Sequence, residues 1–91
     1  MKTGIELIQQ ERNEQIHKHN RQVEDDVRDN RHGELLSGAV AILLGEPEYF
    51  SVKWNDEFKT HVMQKKFIDK LAVAGAFIAA EIDRLNKIES K

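Results

Sequence analysis

Phe67, Leu71, Ala74, Ile78, Ile82 and Leu85 recur at three- and four-residue steps, the spacing that places side chains on one face of an α-helix. Two rows of small residues run beside them, Ala72-Ala76-Ala80 and Gly75-Ala79. Small residues four apart let two helix backbones approach closely, within one chain or between two. The spacing predicts a long helix over 55–87 with a break near Thr60, capped by Asn55 or Asp56. So wide an apolar face has to be covered, and that requirement shapes the rest of the reading.

Upstream, Thr3-Gly4-Ile5-Glu6 has the form of a capping box, in which a hydroxyl and a carboxylate each take one orphan amide of the first turn. A first helix over 3–18 follows, with a thin stripe of Ile5, Ile8 and Ile16 interrupted by Arg12. Residues 20–32 are very polar, and both a loop and an irregular helix fit them. A second helix over 34–44 carries Leu35, Leu36, Val40, Ile42, Leu43 and Leu44 around nearly its whole circumference, so it is expected to be the most buried element. Gly45 then supplies a C-terminal cap and Pro47 forbids continuation. The aromatic-rich stretch 49–54 reads as an extended or looped connector.

The expected fold is all-α: a single domain over 1–91, a small helical bundle with a long alanine-rich C-terminal helix. A chain of 91 residues supports only one hydrophobic core. One thin helix and one short one do not cover the long helix, so a homo-oligomer is predicted. Sixteen acidic against fourteen basic residues give a net charge of -2, without the basic field that would draw the chain onto nucleic acid or an anionic membrane. The longest apolar run, 39–44, is too short to cross a bilayer, and the N-terminal stretch has no signal-peptide apolar segment. The absence of cysteine excludes thiolate catalysis and cysteine-ligated zinc and fits a reducing cytosol. The expected location is therefore cytoplasmic, with no membrane partner.

Two charged residues fall where apolar ones are expected. Glu81 projects among Ala74, Phe77, Ile78 and Leu85, and Arg12 stands between Ile8 and Ile16. A carboxylate in apolar surroundings has to be paired, hydrogen-bonded or protonated. The simple expectation is an Arg12–Glu81 pair, direct or through Glu34. Such a pair serves as a structural bridge that fixes helix register. The alternative is a polar site in which Arg12 and Gln15 grip an anion, or Glu34 and Glu81 hold a metal. Asp25 and Asp26 with Glu34 offer oxygen ligands for magnesium, although adjacent aspartates in a polar connector are more often solvated.

The histidines His17, His19, His32 and His61 show no metal-ligand spacing. Lys59, Lys65, Lys66 and Lys70 form a local basic patch near Trp54 and Phe58. No glycine-rich phosphate loop, nucleophile elbow or Ser/His/Asp signature occurs. No cofactor is expected.

At these same residues the chain resembles a family of small phage and prophage proteins. The family pattern runs T-G-I-E-L-I, E-R-x-x-Q-I, H-D-D, G-E-L, a tryptophan-containing connector and A-G-A-L-I-x-A-E-I-x-R-L. The matching residues here are Thr3-Gly4-Ile5-Glu6-Leu7-Ile8, Glu11-Arg12 with Gln15-Ile16, Glu24-Asp25-Asp26, Gly33-Glu34-Leu35, Trp54, and Ala74-Gly75-Ala76-Phe77-Ile78 through Glu81-Ile82-Asp83-Arg84-Leu85. Glu24 stands where the family has histidine. The family's R-D-L-V-K step reads Asp69-Lys70-Leu71-Ala72-Val73, with its aspartate and lysine out of place.

The resemblance implies a phage setting rather than a particular chemistry. The reading is a non-catalytic accessory protein of the counter-defence kind, acting by stoichiometric binding of a small nucleotide signal or of a host protein. In the nucleotide version Arg12, Lys65 and Lys66 contact phosphates and Trp54 or Tyr49 stacks a base. Two other classes compete with it. One is a magnesium-dependent nucleotide pyrophosphohydrolase of the MazG kind, using Asp25, Asp26, Glu34 and Glu81, although the E-E-x-x-E helix of such enzymes is missing. The other is a structural oligomer or host-protein adaptor.

Overall fold

A computed structural model of the chain describes residues 1–17, 28, 30 and 32–89. Four α-helices lie among them: α1 (Gly4–His17), α2 (Glu34–Leu44), α3 (Asp56–Met63) and α4 (Phe67–Glu89), with a 3-10 turn at Pro47–Tyr49. The fold is all-α, and α4 is its spine, packing against both α1 and α2 and more lightly against α3. The form of residues 20–27 and the placement of Glu24-Asp25-Asp26 lie outside the described residues.

Local chemistry sets the helix ends. The Thr3 amide donates to Glu6 Oε1 at 2.8 Å and the Glu6 amide to Thr3 Oγ1 at 3.2 Å, the reciprocal capping box expected of this sequence. Those bonds hold the Glu6 carboxyl below its ordinary value. At the end of α2 the chain turns through Gly45 in the left-handed region (φ 71°). The Glu46 amide donates to Ala41 at 2.9 Å and the Gly45 amide to Ile42 at 3.3 Å, the paired bonds of a Schellman cap. Asn55 Oδ1 accepts from the Glu57 and Phe58 amides and starts α3. The break before the last helix falls at residues 64–66 rather than near Thr60. A turn there lets α3 fold back so that Phe58, Val62 and Met63 reach the core.

Leu35, Ala39, Ala41 and Ile42 of α2 meet Val73, Ala74, Phe77 and Ala80 of α4, with Phe50 and Val62 closing the sides of the core. The connector over 49–54 forms a turn and bends that bring Trp54 in, rather than an extended segment. Trp54 packs on Phe77 with centroids 5.3 Å apart, and on Phe50 and Phe58 at 5.9 and 6.0 Å. Gly38 makes this approach possible, because a Cβ there would lie 2.7 Å from the Trp54 ring.

Apolar residues on α2 do not mean all-round burial. Six of its eleven residues are buried, but Leu36, Val40, Leu43 and Leu44 remain 42–62% exposed. On α4 the small residues turn inward. Ala72, Ala76 and Ala80 are buried, and Gly75 receives Ile8 of α1. The large residues Phe67, Leu71, Ile78, Ile82 and Leu85 form the outer stripe, 41–61% exposed. Both helices therefore carry an apolar face outward. Among the described residues, no helix is long and apolar enough to cross a membrane.

Candidate functional site

Arg12 and Gln15 are the only buried residues of α1. The helix meets α4 through these two and through Ile8, while Ile5 points outward. The Arg12 guanidinium donates from Nε and Nη2 to Asp83 Oδ2, at 3.3 and 3.0 Å, and from Nη1 to Gln15 Oε1 at 3.4 Å. The Asp83 side chain is 46% exposed, so this ion pair sits at the mouth of the helix seam.

Glu81 is buried but does not pair with Arg12. Its two oxygens engage Arg84 of the same helix, Oε1 with Nε at 2.6 Å and Oε2 with Nη2 at 2.9 Å. The expected Arg12–Glu81 bridge fails for a geometric reason. Residues 81 and 83 lie about 200° apart around a helix, so the flank that α1 occupies presents Asp83 and not Glu81. Arg84, three residues on, reaches the Glu81 carboxylate in the two-pronged geometry that a guanidinium favours.

Glu34 does not link this pair either. At the start of α2, its Oε2 pairs with Lys53 Nζ at 2.8 Å and its Oε1 accepts the His32 amide at 2.7 Å. Burial pushes the Glu34 carboxyl up, but the Lys53 contact and the amides of Glu34 and His32 outweigh it, and the net result lies below the ordinary carboxylate value. Glu34 and Glu81 thus belong to separate ion pairs rather than to one metal site. Among the described residues, no group of three or more His, Asp or Glu side chains stands ready to hold a metal ion. Asp25 and Asp26 fall outside the described residues.

The nucleotide-gripping set is not assembled in one place. Arg12 and Gln15 are joined, but Lys65 and Lys66 lie in the turn before α4. Asp83, which holds Arg12, is seventeen residues beyond Lys66, about 25 Å along a helix. Trp54 is a core residue whose ring packs among three phenylalanines and whose indole N–H donates to the buried Asn30 at 3.3 Å. A small apolar notch of about 190 Å³ between α1 and α4, lined by Leu7, Ile8, Ile68, Leu71 and Ala72 with Lys2 and Gly4, includes none of the predicted site residues.

Sequence reasoning missed Asp83, Arg84 and Lys53. A signal for Asp83 existed, since Ala72, Ala76, Ala79 and Asp83 follow one another at helical spacing. The row of small residues marks the groove that α1 occupies, and Asp83 ends it. Arg84 was readable as the i+3 neighbour of Glu81. Lys53 had no local signal, because its pairing with Glu34 depends on how the connector folds.

Among the described residues, Arg12, Glu34 and Glu81 are thus each held in an ion pair, and α2 and α4 each leave an apolar face outward. Compared with known proteins, the chain matches no family model, no curated protein and no solved structure.

Proposed function

We propose that this protein acts by stoichiometric binding, as a phage-type accessory protein of the counter-defence kind that works in the host cytosol as a homo-oligomer and docks on a host protein. The observation that carries this reading is the outward face of α2. Leu36, Val40, Leu43 and Leu44 are about half exposed, and no charged residue occurs between Leu35 and Leu44. Solvent-facing helix surfaces are normally polar, and a contiguous apolar one is characteristic of a protein-docking surface. The buried ion pairs support the same reading, since Arg12, Glu34 and Glu81 already have internal partners.

The nucleotide-sequestering version has less support, because Trp54, Lys65 and Lys66 are not gathered around Arg12. The pyrophosphohydrolase reading has less again, with Glu34 and Glu81 each held by a cation in a different part of the bundle.

The test compares wild-type protein with the double variant V40E/L43E in affinity capture from host lysate. Both positions face outward, so helicity by circular dichroism is expected to be unchanged. Wild type is expected to retain one protein in stoichiometric amount and the variant to lose it. Equal capture by both removes α2 from the function. A nucleotide found on purified wild type by native mass spectrometry would restore the sequestration reading.

A further inference from the structure

The outer stripe of α4 has an internal symmetry that identifies what covers it. Ile68, Leu71, Gly75, Ile78, Ile82 and Leu85 follow one another at steps of three, four, three, four and three. This is the repeat that forms the seam between two supercoiled helices. All except Gly75 are 41–56% exposed, and no charged side chain falls at any of the six positions.

Read backwards, the row pairs with itself. The first and last members, the second and fifth, and the third and fourth each have residue numbers adding up to 153. We propose that two copies of this chain associate through α4 as an antiparallel pair, about a two-fold axis passing between Ala76 and Phe77. Ile68 then meets the partner's Leu85, Leu71 meets the partner's Ile82, and Ile78 lies at the level of the partner's Gly75 and the Ile8 that covers it.

Phe67 and Ile88, exposed at the two ends of the stripe, lie beside the seam on one flank. Glu81 is buried within its own chain and held by Arg84, so no bare charge enters the seam.

Shape selects the antiparallel sense. A parallel pair would set the smallest residue of the row, Gly75, opposite its own copy, with only the Ile8 that covers each glycine to fill that layer. In the antiparallel pair every layer is filled. The partner's Ile78 packs against Ile8 of α1, which already covers Gly75.

The size of the surface fits as well. The seam from 68 to 85 is about 26 Å long. Seven half-exposed large side chains offer on the order of 600 Å² of apolar surface, approaching the roughly 800 Å² each partner contributes to a standard interface. A second copy supplies this surface in mirror order, so the interface is isologous and closes on itself.

The inference rests on the homo-oligomer part of the proposed function, and its test separates the two. Sedimentation of the wild type reports a mass of twice 10.5 kDa if the pair forms. Ile78→Glu, at the centre of the seam but half exposed in the single chain, is expected to keep its helicity and raise the dissociation constant at least about tenfold. The chain has no cysteine, so introduced thiols report geometry cleanly. Neither L71C nor I82C alone is expected to form a disulfide-linked pair, whereas chains carrying one each, refolded together, are expected to link.

A monomeric wild type overturns both the homo-oligomer and this seam. An oligomer in which L71C links to itself, or in which the mixed chains never link, overturns the antiparallel seam and leaves the homo-oligomer standing. The thiol measurement decides the matter even if Ile78→Glu fails to fold.

Discussion

The two sides of α4 are built on different principles. Towards α2 it presents Phe77, Val73 and Ala80 to Leu35 and Ile42, a dry contact in which side-chain volume decides the fit. Towards α1 it presents a groove of small residues ending in Asp83. What α1 brings there is Arg12, Gln15 and the end of Ile8. The first seam supplies the cohesion that offsets chain entropy, because apolar burial is large and non-directional. The second supplies little apolar burial but strong direction, since a guanidinium bonded through two nitrogens to one carboxylate fits only one register. Stability and alignment are therefore assigned to opposite flanks of one helix.

The largest effect that would break this distinction is expected from Phe77→Ala, which empties the centre of the α2 seam. It should cost about 4 kcal/mol in urea unfolding, and a loss under 1 would show that the core lies elsewhere. Gly38→Ala should come next. Its Cβ would collide with the Trp54 ring, which is packed among Phe50, Phe58 and Phe77. The gain in helix propensity of about 1 kcal/mol is outweighed, leaving a net loss of about 2 by the same measurement.

On the α1 side, Asp83→Ala leaves the buried Arg12 with only a long hydrogen bond to Gln15. A loss of about 1–2 kcal/mol is expected, reduced from that of a fully buried pair because Asp83 is half exposed. Replacing Arg12 and Asp83 together by Met and Ala should recover part of it, and no recovery would show that the two act independently.

The Glu34 carboxyl gives the α2 flank a pH dependence. Its folded pKa lies below the ordinary 4.5, so its contribution is complete above that value and is lost as pH falls through the folded one. Urea midpoints should therefore fall on acidification below about pH 4.5, and Glu34→Gln should flatten that fall. The smallest effect is expected from Gly75→Ala, which sharpens the contrast with Gly38. The same added methyl meets the side chain of Ile8, crowding Cδ1 and Cγ1 at 2.6 and 2.7 Å and touching Cγ2 at an ordinary 3.5 Å, and that half-buried side chain can shift. Stability is expected to stay within about 0.5 kcal/mol of wild type.

Periodicity and capping chemistry reached most of the backbone. The bounds of α2, the Thr3–Glu6 box, the Gly45 turn and the Asn55 cap are all written in residues that contact their own neighbours, and such interactions need no knowledge of tertiary structure. The burial of Arg12 and Glu81 was legible for the same reason, since helical spacing assigns each to an apolar face. Their partners were not. Which carboxylate meets Arg12 depends on the flank of α4 that α1 chooses, and spacing within either helix says nothing about that. The exposure of Leu36, Val40 and Leu43 was hidden because an apolar residue carries no mark distinguishing a covered face from one awaiting a partner.

The glycines bracketing α2 have a consequence for how this protein can change. Gly33 and Gly45 both adopt left-handed backbone, at φ 82° and 71°, and fix where the helix begins and ends. Between them, the inward residues are committed to the core, while positions 36, 40, 43 and 44 touch little of the bundle. The helix is in effect an interchangeable cartridge in a fixed mount. A lineage can rewrite its outward letters, and so the surface it recognises, without reopening the question of how the chain folds.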